Sequence, residues 1–487
     1  MTLAAVHSDS AATDRRAWLL LAGLLLLSIT VAFVTTNTYD SGDSIKHYLF
    51  ARHAPQHPLN YLDSWAKPLF TLLASGPAQL GFIGMKLFQC GVVALSAWCA
   101  FVVARALRLP APELALLFAY AAPDYFLIQF SGLTEPLFGL VLVGSVALAV
   151  TNRPGWSAAL ISWLPFVRSE GFVLIGLWVL YLAWRRQWRF LPLLMVGYVV
   201  FSGIGAVVMG ELDWVFSRNP YATISVYGHG DWDHFIFSLP GLLGWVLLLL
   251  ALIGGVRMLR DCLRSERRQR PFFSAELLLV YGSITVFIAA HTVFWALGLF
   301  NSFGLTRVLT VTTPLFAVVA LNGLDWLTQL APLPTAQRRI QIGVVAAVVL
   351  FPFLGTRQGF RWQRDFTRPP DQEVAENAAA WIRKTYGQGA RPLAYDFPYV
   401  ALATQNNFFD SQAHPALSVN NVSQAESLPV GTLVLWDDWF ARTEGHVSLS
   451  QLRSDARFRE RWADARPRNR THPERDTTRI IVFERVQ

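Results

Sequence analysis

The chain has 487 residues, of which 53% are hydrophobic and only 15% charged, with a formal net charge of +8 at pH 7. Soluble globular domains carry about 25% charged residues, so this composition excludes an ordinary soluble enzyme and indicates a polytopic α-helical membrane protein. The basic excess is not a nucleic-acid footprint, because Lys and Arg gather in the short cytoplasmic loops of such proteins.

Asp14-Arg15-Arg16 precede the first apolar run, residues 18–34, and the positive-inside rule assigns this end to the cytoplasm. The run has no small-residue cleavage site behind it and is expected to remain as a span rather than a signal peptide. The outer loop that follows opens with "YDSGDSIKHYLFAR" (39–52), and "PLFTLLASGPAQLGF" (68–82), broken by Gly and Pro, is expected to be interfacial or re-entrant. Residues 83–103 form a second span, closed by Arg105 and Arg108, 113–130 a third and 136–150 a fourth. Two short apolar pieces, 156–166 and 171–184, are too short to span alone and predict a hairpin with Arg168 and Glu170 at its turn.

Residues 191–209 rise to an outer loop, "ELDWVFSRNPYATISVYGHGDWDHF", and 237–255 descend to "RMLRDCLRSERRQR". Further spans follow at 275–290, 308–327 and 340–354, the last after Arg338-Arg339. The total is about eleven membrane segments, and each large Arg cluster falls on one side. Cys90, Cys99 and Cys262 are too few for a disulfide framework and read as ordinary structural residues.

From about residue 357 charged residues become common. "RPLAYDFPYVAL", "VGTLVLWDDWF" and "TTRIIVFERV" read as strands, "DQEVAENAAAWIRKTYG" as a helix, and "RERWADARPRNRTHPERD" as a basic segment before the last strand. The reading therefore divides the chain into a membrane domain, 1–356, and a small extracytoplasmic α/β domain, 357–487. "WDDWF" (436–440) sets aromatic faces beside carboxylates, a composition found in sugar sites and in the core of a small domain alike.

Five motifs carry a resemblance. "GDSIKHYLFAR" resembles the first-outer-loop motif of the GT-C superfamily of integral-membrane glycosyltransferases, most closely its branch of protein mannosyltransferases and lipid A aminoarabinose transferases. "WAKPLF" resembles that branch's Lys-Pro-Pro-Leu motif, "SGLTEPLF" its acidic-residue segment after the third span, and "GLTRVLTVTTPLF" its Arg-Tyr segment leading into a late span. "FVRSEGFVL" is similar to the Arg-x-Glu-Gly turn of bacterial mannosyltransferase-like members. The likeness covers about residues 15–330. The chain departs from it at Ser44, where a second acid is usual, at His47 in place of Tyr, at Leu69 in place of Pro and at Val308 in place of Tyr.

The resemblance implies transfer of a sugar from a polyprenyl-phosphate-linked donor to an envelope glycan, lipid or protein, on the extracytoplasmic face of what composition suggests is a bacterial inner membrane. Such a transfer needs a base at the acceptor hydroxyl and positive charge on the departing phosphate. Asp43 is the expected base with Asp40 the alternate, and Lys67 and Arg307 are the expected phosphate clamps. Glu135, His47, Tyr48 and His57 are candidate acceptor or sugar contacts, and Arg168 and Glu170 supporting residues. The spacing of His47 and His57 fits no compact zinc motif, so neither metal nor cofactor is expected. A transporter, or a non-catalytic assembly protein that kept the fold, is the alternative. The chain shows no pair of matching halves of the kind transporters have.

Overall fold

The computed structural model describes residues 3–221, 223–415, 428–468 and 476–487. They form two compact units, one of residues 1–33 with 61–361 and the other of 34–60 with 362–487. The boundary read from sequence at 356/357 lies close to the later junction. Residues 34–60, however, group with the C-terminal residues, whereas 61–67 stay with the helical unit.

The first unit is helical. Six of its helices are long and apolar enough to cross a membrane: Ala12–Val34, Phe82–Ala106, Trp188–Met209, Phe273–Ala296, Thr306–Gln329 and Pro334–Phe353. His234–Leu243 and Trp245–Leu263 make a seventh only if counted as one span, because they meet at 117°. The sequence reading places a single span, 237–255, across this point. The break falls at Gly244, whose φ of 73° is left-handed and readily reached only by glycine, four residues after Pro240.

The predicted third span is likewise two short helices, Leu114–Ala121 and Pro123–Ile128, parted before Pro123. The predicted hairpin becomes helices Pro154–Ile161 and Gly171–Trp184 with a short 3₁₀ turn, Leu164–Phe166, between them. Adding a side chain to Gly171 would press it into the backbone of Leu164 and Pro165, so the turn that carries Arg168 and Glu170 can close only with glycine there. The last helix starts at Pro334, six residues before the apolar run at 340, and so includes Arg338 and Arg339.

Burial sorts these helices. Thr306–Gln329 is enclosed along its length, whereas Ala12–Val34 and Pro334–Phe353 leave most of theirs exposed. Apolar surface of that extent is what a lipid-facing helix carries. Trp245–Leu263 packs along Thr313–Gln329. The contact depends on small residues, since a Cβ at Gly323 would run into the Leu250 carbonyl, and one at Gly254 into that of Val319.

The second unit holds a four-stranded sheet made of β1 (Leu393–Tyr395), β2 (Leu433–Asp437), β3 (Phe458–Pro467) and β4 (Thr477–Arg485), in the order β1-β2-β4-β3. β1 and β2 are parallel, and the other two pairs antiparallel. Of the basic segment of the sequence reading, residues 469–475 lie outside the described residues, and the first half, 459–467, lies in strand β3 at the sheet's edge. Nearly all its side chains are at least partly exposed, and charge on an edge strand discourages pairing with other chains. Helix Pro370–Tyr386 lays Val374, Ala375, Ala378, Ala379 and Ile382 inward and packs on β3 and β4. The segment after the first span joins this unit through backbone and side-chain hydrogen bonds, Thr36 N to Phe366 O at 2.9 Å and Asn37 Nδ2 to Arg364 O at 3.0 Å. Helix Asp43–His53 then packs on helix Pro398–Thr404.

Candidate functional site

In the first unit the loop before helix Pro68–Ala78 is shaped by Asp63, whose Oδ1 accepts from the backbone N–H groups of Trp65 (2.8 Å) and Ala66 (2.7 Å). Four residues after Asp63, Lys67 has φ 69°, a left-handed conformation that costs a non-glycine residue energy and recurs at functional sites. Its side chain is buried. The Nζ donates to Ser64 O at 2.8 Å and Ser169 Oγ at 3.1 Å and lies 4.6 Å from the centre of the Tyr221 ring. Burial pulls its pKa down to about 8, with Glu170 offsetting part of the effect.

Glu135 opens the helix Glu135–Val150, with Pro136 in the first turn where a missing N–H is tolerated. Its carboxylate is fully enclosed and meets two cations, Arg168 Nη1 at 3.0 Å and Arg307 Nε at 3.5 Å. Arg307 is brought there by packing. Its segment, Thr306–Thr312, runs against the helix of Glu135, where a Cβ at Gly139 would lie 3.1 Å from the Val311 carbonyl oxygen. Glycine keeps this approach close.

Arg168 also holds Glu170, at 2.9 Å, and donates to Thr134 Oγ1 at 3.2 Å. Burial alone would disfavour both charges. Instead Arg168, then His291, draw the Glu170 pKa down to about 2, and Glu170 and Glu135 hold Arg168 protonated beyond its ordinary range. His291 Nε2 lies 3.8 Å from Glu170 Oε1, among Phe235, Phe287 and Phe294. The cluster thus sets three cations, Lys67, Arg168 and Arg307, against two carboxylates. Neither Glu135 oxygen accepts a well-directed hydrogen bond from a described residue. Buried charges of this density are costly, and their positive excess suits an anion.

Five of the residues singled out in the sequence, Lys67, Glu135, Arg168, Glu170 and Arg307, therefore assemble in this unit. Sequence reasoning passed over His291, Ser169 and Thr134. A lone ionisable residue in an apolar helix is itself a functional signal, and "AAHTVF" carried it.

The other five lie in the second unit. Asp40 Oδ1 accepts from the N–H groups of Gly42 (2.9 Å) and Ser44 (3.1 Å), closing the turn into helix Asp43–His53. Asp43 is half-buried in that helix's first turn, where a carboxylate is favoured by the helix dipole. His47 and Tyr48 are buried on the next turn, and burial raises the Tyr48 hydroxyl pKa against the pull of Arg52. The His57 ring is 5.6 Å from that of Phe409. Among the described residues no three His, Cys, Asp or Glu side chains are grouped to hold a metal ion.

No family model matches the chain, and no curated protein does. Solved structures do match it. A crystal structure of ArnT from Cupriavidus metallidurans bound to undecaprenyl phosphate superposes with a TM-score of 0.62 at 12% identity, over 96% of this chain and 97% of that one. The apo form of the same protein gives a TM-score of 0.62 at 13% identity, over 97% and 98%. This chain has the ArnT fold: apolar helices of a multi-pass membrane protein, followed by a small C-terminal sheet.

Proposed function

We propose that the chain is a GT-C glycosyltransferase that moves a sugar from a polyprenyl-phosphate-linked donor to an envelope glycan, lipid or protein. The observation that carries this reading is the cation-rich cluster of buried Lys67 and partly buried Arg168 and Arg307 around the enclosed Glu135 in a chain with the ArnT fold, one crystal structure of which holds undecaprenyl phosphate. A phosphate monoester seated against Lys67 and Arg307 would balance the positive excess. Arg offers a planar fork for its oxygens and Lys a point charge.

In the proposed reaction the acceptor oxygen attacks the anomeric carbon of the sugar, and the carbon–oxygen bond to the phosphate breaks. The polyprenyl phosphate leaves with the bonding electrons, and its new charge is held by the clamp. The acceptor's proton passes to Asp43, in the first turn of its helix, with Asp40 the alternate base. Glu135 receives a hydroxyl of the sugar or acceptor, and Arg168 with Glu170 keeps it oriented. His47, Tyr48 and His57 line the acceptor's approach. The topology proposed with this chemistry has about eleven membrane segments, with the shorter helices completing the long ones. Its N-terminus is cytoplasmic and the C-terminal domain lies outside a bacterial inner membrane.

Transfer by the purified protein, assayed with polyprenyl-phosphate sugars including a mannosyl donor, tests the reading. Turnover with one donor that is lost in Arg307→Ala supports it. An absence of turnover and of donor binding across the panel would favour an assembly role.

A further inference from the structure

The second unit contains a cleft of about 550 Å³, within the roughly 300–1,000 Å³ of small-molecule sites. It is lined at the end of β2 by Trp436 and Trp439 and across it by Asp438, Arg442, Arg468 and Arg479, with Ser448 and Ser450 at one side. None of these belongs to the cluster around Glu135 or to the Asp40–His57 segment.

The lining is ordered by its own hydrogen bonds. Trp436 is buried, and its Nε1 donates to Val447 O at 2.8 Å, which fixes the indole in the sheet's core. Asp438 accepts from Arg468 Nη2 at 3.2 Å and from the Arg479 backbone N–H at 3.3 Å. Arg468 also reaches Asp476 at 3.6 Å. These two aspartates thus share one arginine, while Arg442 and Arg479 are exposed residues of the lining, the Arg479 Nη2 donating to Thr477 Oγ1 at 3.4 Å. Trp439 is half-exposed, and Phe440 braces it edge-on with ring centres 4.6 Å apart.

An indole face beside hydroxyl and carboxylate acceptors suits the apolar face and hydroxyls of a pyranose ring. Two further arginines suit an anionic substituent on it, since guanidinium binds phosphate and carboxylate oxygens in pairs. We propose that this cleft is a binding site for an anionic saccharide, a sugar bearing a phosphate or carboxylate, with its ring on Trp439 and its anion on Arg442 and Arg479. The proposal does not depend on the transferase reading, because it draws only on residues outside that cluster.

Saturation-transfer-difference NMR on the full chain in nanodiscs tests it, with N-acetylglucosamine 1-phosphate as probe and N-acetylglucosamine and inorganic phosphate as comparators. The ring protons of the phosphosugar should receive saturation. Binding should weaken by about tenfold or more in Trp439→Ala and in the Arg442→Ala/Arg479→Ala double variant, less in Trp439→Phe, and not at all in Arg307→Ala. Trp439, Arg442 and Arg479 are not core residues, so these variants should fold, which circular dichroism checks. No transfer to the probe, equal transfer in all the cleft variants, or loss of transfer in Arg307→Ala would each overturn the assignment. So would full displacement of the phosphosugar by an equal concentration of inorganic phosphate, which would leave an anion site with no preference for sugar.

Discussion

Arg168 Nη1 lies 3.0 Å from Glu135 Oε1, within an enclosure where that carboxylate has no exposed surface. The same guanidinium holds Glu170, so one cation bridges two anions from separate helices. Removing one partner of a buried pair typically costs about 3–5 kcal/mol, because the other is left charged without compensation. Arg168→Gln should therefore lower the thermal midpoint in detergent more than Arg307→Gln, which leaves Glu135 still paired. Equal, small shifts for the two variants would show that Arg168 is not the keystone of the cluster.

Lys67 gives two pH dependences of opposite sign. Its pKa in the folded chain, about 8, is below the ordinary lysine value of 10.5. Between those values the unfolded chain binds more protons than the folded one, so the Lys67 contribution to stability rises with pH across that window. Affinity for a carrier phosphate should instead fall as pH rises through about 8, because the clamp loses its charge. Lys67→Arg should hold donor affinity flat to higher pH, and Lys67→Met should stabilise the protein at pH 7 while weakening donor binding. Donor affinity of the unmodified chain that stays constant from pH 7 to 9.5 would remove Lys67 from the clamp.

Long apolar runs made the long apolar helices legible, because length and composition are both read directly from the sequence. What escaped was decided by single residues or by distant partners. The 117° turn at Gly244 depends on one left-handed φ, and hydropathy does not change there. Strand β3 hid because an edge strand needs one apolar face at most, and its Arg and Glu side chains read only as a basic segment. The grouping of residues 34–60 with the C-terminal unit rests on pairings such as Lys46 with Glu444, 3.4 Å apart and almost four hundred positions away in sequence. Of the site, the charged residues at helix ends were visible by type and order. His291 stood out only as a lone ionisable residue in an apolar run, and only folding shows that it meets Glu170.

The second unit should lose stability as pH rises through neutrality. Asp396, at the end of β1, is raised to about 7 by burial and by Asp437 beside it, and burial raises Asp437 to about 6 against three backbone donors. Both folded-state values exceed the unfolded 3.8, so the folded state binds more protons between about pH 4 and 7, and stability falls across that range. Asp396→Asn should flatten this dependence and raise the midpoint of this unit at pH 8. Hydrogen exchange of the sheet amides measures it, and protection that is the same at pH 5 and pH 8 after correction for intrinsic rates would count against the assignment.

The paired aspartates of the first outer loop should separate by the work each side chain does. Asp40 is engaged in the backbone, with Oδ1 accepting from Gly42 and Ser44. Asn keeps an acceptor oxygen there, so Asp40→Asn should leave both fold and turnover close to normal, whereas Asp40→Ala should cost about 1 kcal/mol, as the loss of a helix cap does. Asp43 sits in the first turn of the helix, and as the proposed base it must take a proton. Asp43→Asn retains size and polarity but cannot accept that proton at neutral pH. Turnover should fall by about 10²–10⁴-fold, with donor binding retained. If the two carboxylates share the proton, both Asn variants should be slow, and the double variant should cost less than the product of the single effects. Normal turnover by Asp43→Asn with slow turnover by Asp40→Asn would exchange the roles and make the capping carboxylate the base. Normal turnover in both, with the donor bound, would leave the transfer without a base in this loop and direct the search to Glu135.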